Sequence, residues 1–182
     1  MGMIYCKEGT AVLCETRCGH TSMKAYFNTD IPSSNLGSTR LVNDILYNSI
    51  DDIEADRIVL VVRQPYDRLW SSKTHVDRVI AQGYIKSRLR DEWISDHSDL
   101  YLHKLCESGK ITHIIPFQNL SDYIPVSTNT IQYNITHNHT KFEDWMYQYH
   151  SQDDMELEYS GYIKLLNTVP QFGIKNWQKY CA

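Results

Sequence analysis

A single α/β domain, built on a P-loop-like parallel sheet flanked by helices, is the fold class that this 182-residue chain predicts. Three observations carry that expectation. Short, almost wholly apolar runs alternate with stretches of helical periodicity, the pattern of parallel strands buried on both faces with helices crossing between them. Two of those runs end in polar turns that lead straight into helices, which puts the turns at the carboxyl ends of strands, where open α/β sheets bind ligands. No repeat, low-complexity tract or linker divides residues 1–182, and the length suffices for one domain with a real core.

Along the chain, Ala11-Val12-Leu13-Cys14 is a short apolar run read as a buried strand. After the polar turn, Met23, Tyr26 and Phe27 recur at helical spacing, and residues 28–37, rich in Pro, Ser, Asn and Asp, form a loop. Leu41, Val42, Ile45, Leu46 and Ile50 mark an amphipathic helix, with Ser38 or Thr39 as its N-cap. Residues 58–62, apolar and β-branched except at Leu60, read as a central parallel strand. Pro65 suits the first position of a helix that Leu69, Val76, Val79 and Ile80 carry to about Gln82. The charged stretch 83–98 has no clear assignment. Residues 100–107 are read as a helix stopped by Gly109, and 111–117 as another strand. Turns and short extended pieces are expected over 119–140. Thr140-Lys141-Phe142-Glu143 matches a capping box that opens a helix through Tyr149, and 155–166 forms the last helix before an aromatic tail with Phe172 and Trp177.

Bulk properties narrow the function. Hydrophobic content of 42% and charged content of 22% are those of a soluble globular protein. A net charge of −4 argues against a general nucleic-acid binder, which would be basic. No apolar run reaches membrane-spanning length and the first ten residues lack a signal-peptide pattern, so a cytoplasmic protein is expected. The five cysteines, Cys6, Cys14, Cys18, Cys106 and Cys181, contain no CxxC pair and are read as reduced thiols. The sequons at Asn119, Asn134 and Asn138 are then chance matches.

The chemistry concentrates in two segments. In Glu15-Thr16-Arg17-Cys18-Gly19-His20-Thr21-Ser22, a strand end runs into a helix start. Such a start offers unpaired N–H groups and the positive end of the helix dipole. Gly19 lets the backbone approach a phosphate, Thr21 and Ser22 add hydroxyl donors, and Arg17 adds a permanently charged planar fork. The Walker spacing GxxxxGK[ST] is missing, and an ordinary capped turn is the competing reading. In Val61-Val62-Arg63-Gln64-Pro65-Tyr66-Asp67-Arg68-Leu69-Trp70-Ser71, Arg63 ends a buried strand with a charge. Arg68, Ser71, Ser72 and His75 then share one helix face, which could carry a second phosphate with Arg63 and Ser71 as donors. The competing reading pairs Arg63 with Asp67 and leaves Arg68 as a solvated surface charge.

Order and internal spacing of the two segments resemble the sulfotransferases that use 3′-phosphoadenosine-5′-phosphosulfate (PAPS), closest to the membrane-associated carbohydrate type. Thr16-Arg17-Cys18-Gly19-His20-Thr21-Ser22 stands where that family has a PKxGxTS loop for the 5′-phosphosulfate. The stretch from Val62 to Lys73 stands where it has VRDPxxRLxSxY, whose Arg and Ser map onto Arg63 and Ser71. Weaker likeness continues in His113-Ile114-Ile115-Pro116-Phe117-Gln118-Asn119-Leu120, in Tyr133-Asn134-Ile135-Thr136 and in the closing stretch from Tyr162 to Gly173. Arg17 replaces the family's loop Lys and Gln64 its Asp. The resemblance implies PAPS as donor and PAP as product. It implies transfer of a sulfuryl group to a hydroxyl or amine, with a glycan or a small hydroxyl compound as acceptor. Arg17, Cys18, Gly19, His20, Thr21, Ser22, Arg63 and Ser71 would line the nucleotide site.

Within that reading Arg17 stabilises the leaving phosphate, and His20 is the nearest proton acceptor by sequence, with Glu15, Asp30 and His75 as alternatives. No metal is expected. A site of His137 and His139 with His113 or His150 lacks a familiar ligand spacing. Cys18 beside Arg17 at a helix start invites a low-pKa thiol, with His20 as partner in a nucleophilic pair that has no third, orienting group. Lys86, Arg88 and Arg90 are a solvated charged face or a groove for an anionic acceptor. Two other functions stay open. One is a catalytically inactive PAP- or PAPS-binding protein. The other is a P-loop-like kinase of a nucleotide or small molecule, for which the Walker Lys is missing.

Overall fold

The structure is a computed structural model, and it describes residues 3–7, 9–15, 17–19, 23, 45–46, 50–124 and 144–175. Strands β1 (Met3–Lys7), β2 (Thr10–Cys14), β3 (Ile45–Leu46), β4 (Arg57–Val62) and β5 (His113–Pro116) form one sheet in the order β3-β1-β2-β4-β5. The parallel part is β2-β4-β5, with Leu13 opposite Leu60 and Leu60 opposite Ile114. Helices flank it, so the fold is the single α/β arrangement that the alternating pattern implies. Two antiparallel strands extend the sheet beyond that pattern. β1 pairs with β2 as a hairpin, and β3 pairs with β1.

Alternation along the three parallel strands sorts their side chains into two cores. Val12, Cys14, Val59, Val61 and Ile115 point to one face, where they meet Leu120, Tyr123, Ile124 and Phe172. Ala11, Leu13, Ile58, Leu60, Val62 and Ile114 point to the other, under Leu102, Leu105, Tyr162 and Leu165. Both faces are covered, which is why the runs read as uninterrupted apolar sequence.

Helix α1 (Pro65–Ala81) begins with Pro65, whose fixed φ and missing N–H suit the first turn, and Gln64 caps it by accepting from the Asp67 N–H at 2.7 Å. The charged stretch left unassigned by its sequence forms a short 3-10 turn (Ser87–Leu89) and helix α2 (Arg90–His97). There, Arg90 reaches back to Asp77 of α1 at 3.0 Å, and Ile94 packs against Leu69 and Val76. Burial acts to raise the Asp77 carboxyl, but hydrogen bonds from Lys73 and Arg90 outweigh it and hold the group below its usual range. Helix α3 (Leu102–Ser108) stops at Gly109, which takes φ of +65°. A 3-10 helix (Phe117–Asp122) follows β5, residues 144–146 are helical, and α4 (Gln152–Thr168) is capped by the Ser151 hydroxyl on the Asp154 N–H.

One expected element is corrected. Ile45 and Leu46 are not part of an amphipathic helix. They pair antiparallel with Ile4 and Met3, and Ile50 opens a short 3-10 turn. Their spacing fits a helix as well as a strand, and pairing with the distant strand β1 decides between them. The proposed caps Ser38 and Thr39, the capping box at 140–143 and Trp177 lie outside the described residues.

Helices α3 and α4 approach closely at Gly161. A Cβ there would stand 2.7 Å from the backbone of His103. Three residues earlier, Glu158 is fully buried and accepts from the Tyr101 N–H at 3.0 Å, the His103 N–H at 3.3 Å and His103 Nδ1 at 3.0 Å. A carboxylate at the start of α3 satisfies orphan amides and meets the positive end of the helix dipole, which is how it tolerates burial. Beyond β5, the chain returns along its outer edge. Ile114 N–H donates to Pro170 O at 3.0 Å, and Phe172 N–H to Ile114 O at 2.9 Å.

Candidate functional site

β2 and β4 are adjacent and parallel, so the segments that follow them emerge side by side. The loop after β2 turns sharply. Cys18 N–H donates to Glu15 O at 3.0 Å, and Met23 N–H to Gly19 O at 3.0 Å, a helical bond that puts Gly19 at a helix start. Arg17 sits at φ +68° and Gly19 at +91°. A non-glycine residue in left-handed conformation is uncommon and marks a loop whose shape is imposed by its surroundings. Gly19 has two reasons to be glycine: its φ, and the Leu120 Cδ2 methyl that already occupies the space of a Cβ.

The two motifs meet through three residues. Arg17 directs both Nε and Nη2 at Ser71 Oγ, each at 3.3 Å. Arg63 Nη1 donates to the Arg17 carbonyl at 2.8 Å, and its guanidinium lies over the Phe117 ring, 4.5 Å from the centroid. Burial lowers the Arg63 pKa, and the nearby Arg68 charge acts in the same direction, with Asp67 opposing both. Asp67 itself is raised by burial despite the Arg63 charge and forms no ion pair with it within 4.0 Å. Like charges gathered beside low-dielectric walls raise the local potential for anions.

Of the residues expected at the site, Arg17, Cys18, Gly19, Arg63 and Ser71 are brought together. His20, Thr21, Ser22 and the alternative base Asp30 lie outside the described residues, as do His137 and His139. Glu15 is buried at the end of β2. His75 lies one turn beyond Ser71, with Nδ1 facing Arg78 Nη2 at 3.2 Å. His113 Nδ1 faces Thr112 Oγ1 at 3.0 Å. The basic trio at 86–90 is divided: Arg90 is engaged by Asp77, while Lys86 and Arg88 are exposed.

The low-pKa thiol is overturned. Cys18 is completely buried, and desolvation raises its thiol above the usual value; the charges of Arg68 and Arg63 and the Tyr101 hydroxyl pull the other way without prevailing. Cys14, whose Sγ contacts Cys18 O at 3.2 Å, is raised further for the same reason. The Cys18 side chain therefore belongs to the core, and its N–H and carbonyl are engaged by Glu15 O and Cys14 Sγ.

Sequence reasoning missed three participants. Arg68 is not a surface charge but is 1% exposed; its guanidinium stacks 4.8 Å from the Tyr101 ring and Nη2 donates to the Asp99 carbonyl. Tyr101 touches Cys18 Sγ through its hydroxyl at 3.5 Å. Phe117, the third, is the platform under Arg63. The one available signal was the position of Arg68 on the same helix face as Ser71 and Ser72.

Compared with known proteins, the chain matches no family model, no curated protein and no solved structure. Among the described residues, no helix is long and apolar enough to cross a membrane.

Proposed function

We propose that this chain binds a nucleotide phosphorylated at both its 5′ and 3′ ends and, as a PAPS-dependent sulfotransferase, moves a sulfuryl group onto an acceptor hydroxyl or amine. The observation that carries the reading is the convergence of Arg17, Arg63 and Ser71, from two motifs, at the carboxyl ends of two parallel strands. Arg63 and Ser71 would hold the 3′-phosphate. Arg17 and the amides from Gly19 onward would hold the 5′ group.

PAPS supplies an activated sulfuryl group whose S–O bond to the 5′-phosphate breaks as the acceptor oxygen or nitrogen bonds to sulfur. The protein's share is positioning, neutralising the charge that grows on the departing phosphate oxygen and taking up the acceptor proton. Arg17 keeps the positive charge of the family's Lys and spreads it over a fork, one side of which rests on Ser71. Gln64 stands where the family has Asp, and as the side-chain cap of α1 it keeps the helix start in place beneath Ser71. Sulfotransferases need no metal in this scheme, because guanidinium groups and a helix start supply the charge. The acceptor class, a glycan or a small hydroxyl compound, belongs to the same proposal.

Calorimetric titration with PAP, 5′-AMP and ATP in the absence of metal tests the reading. Arg63→Ala should weaken PAP binding about a hundredfold, the scale of losing charge-assisted hydrogen bonds to a phosphate. Unchanged PAP affinity would remove the 3′-phosphate assignment, and a preference for ATP with Mg²⁺ would favour a kinase. PAP binding without sulfuryl transfer to any acceptor would leave the binding-protein reading.

A further inference from the structure

The largest fully buried side chain that carries a charge is Arg68. Among the described residues no carboxylate stands within ion-pairing distance of it, and Nε has no hydrogen-bond partner. An arginine cannot escape that cost by losing its proton. A buried guanidinium satisfied only by one carbonyl and one aromatic face is expensive to keep, and a hydrophobic side chain of similar volume would fold as well or better.

What it faces gives the expense a purpose. Its guanidinium is stacked on Tyr101, whose hydroxyl contacts Cys18, and Cys18 lies between Arg17 and Gly19 in the loop. Tyr101 is held from behind by Glu158, which accepts from its N–H. One side chain therefore separates the Arg68 charge from the loop. Its electrostatic influence reaches both Cys18 and Arg63, and at Cys18 and Tyr101 it outweighs the opposing buried carboxylate of Glu15.

We propose that Arg68 is a positioning residue of the phosphate site, a buried and carboxylate-free charge behind the loop that strengthens anion binding through the Tyr101–Cys18 wall without touching the ligand. This rests on the two-phosphate reading. It adds that the positive field comes from beneath the loop as well as from its surface. In that low-dielectric setting a charge several ångströms from a phosphate is poorly screened.

The test compares Arg68→Met and Arg68→Lys with the unaltered chain, by calorimetric titration with PAP and by thermal unfolding without ligand. Arg68→Met should weaken PAP binding about tenfold, and Arg68→Lys, which keeps a charge but not the planar stack or fork, should recover most of that loss. A purely structural arginine gives the opposite pattern, because lysine fails as badly as methionine. PAP affinity unchanged in Arg68→Met, or equally reduced in both variants, overturns the inference. If Arg68→Met does not fold, Arg68→Gln takes its place in the same comparison. An unaltered chain that does not bind PAP overturns the underlying reading instead, so the two failures are distinct.

Discussion

Replacing Gly19 by alanine probes how tightly the loop is clamped, and Gly109 provides an internal reference. Both glycines have positive φ, +91° and +65°. A Cβ on Gly109 meets nothing within 4 Å, so Gly109→Ala carries only the conformational cost, about 1 kcal/mol. A Cβ on Gly19 collides with Leu120 Cδ2 and comes within 3.4 Å of Phe117 Cε2. Leu120 is 2% exposed and packed among Cys18, Met23 and Tyr123, so it has little room to yield. Overpacking of that kind adds about 1–3 kcal/mol, for a total of about 2–4 kcal/mol. Urea unfolding of the two variants, with slopes compared to verify two-state behaviour, reads the difference directly. A double variant with Leu120→Ala should be less destabilised than the sum of its parts, because the truncated side chain makes room for the new methyl. If Gly19→Ala costs no more than Gly109→Ala, the loop is not pinned to Leu120 and the close approach carries no weight.

Two further perturbations follow from buried polar groups. Glu158→Ala leaves the Tyr101 and His103 amides without their acceptor and should cost about 2–5 kcal/mol in urea unfolding; a loss below about 0.5 kcal/mol would show that the cap is dispensable. His150 has its pKa lowered by burial and by the Arg68 charge, so the fold favours the neutral ring. Its contribution is complete above the ordinary histidine value of about 6.5 and is lost as pH falls through the depressed folded value. Stability should therefore drop on acidification below about pH 6.5, and His150→Gln should flatten that part of the profile; parallel profiles for the two chains would refute it.

The parallel core was legible because strands 58–62 and 11–14 are apolar on every residue, a pattern with few other solutions. Pro65, Gly109 and the last helix were legible from local backbone chemistry. β1 and β3 were not: Met3–Lys7 alternates weakly and gains strand character from pairing with β2, a tertiary effect. At the site, Arg17 and Arg63 stand out as charges where strands end, while Ser71 is singled out by its place on the helix face and by the family resemblance. Arg68 could not, because a helix face shared with serines does not say whether it points to water or into the core. Tyr101, some 80 residues from Cys18, carries no local mark of its role.

The return of residues 170–172 along β5 has a consequence for how copies of the protein behave together. Strand β5 would otherwise end the sheet with unpaired amides and carbonyls, a template for another chain. Pro170 and Phe172 occupy Ile114 on that side, and Phe172 is itself fastened, its carbonyl accepting from the Tyr123 hydroxyl at 2.7 Å and its ring buried in the core. At the opposite border, the described part of β3 is two residues long. A chain cut after Val169 would keep Arg17, Arg63 and Ser71 but lose Phe172 from the core that also holds Cys18, and the bared Ile114 edge should make it prone to strand-to-strand association.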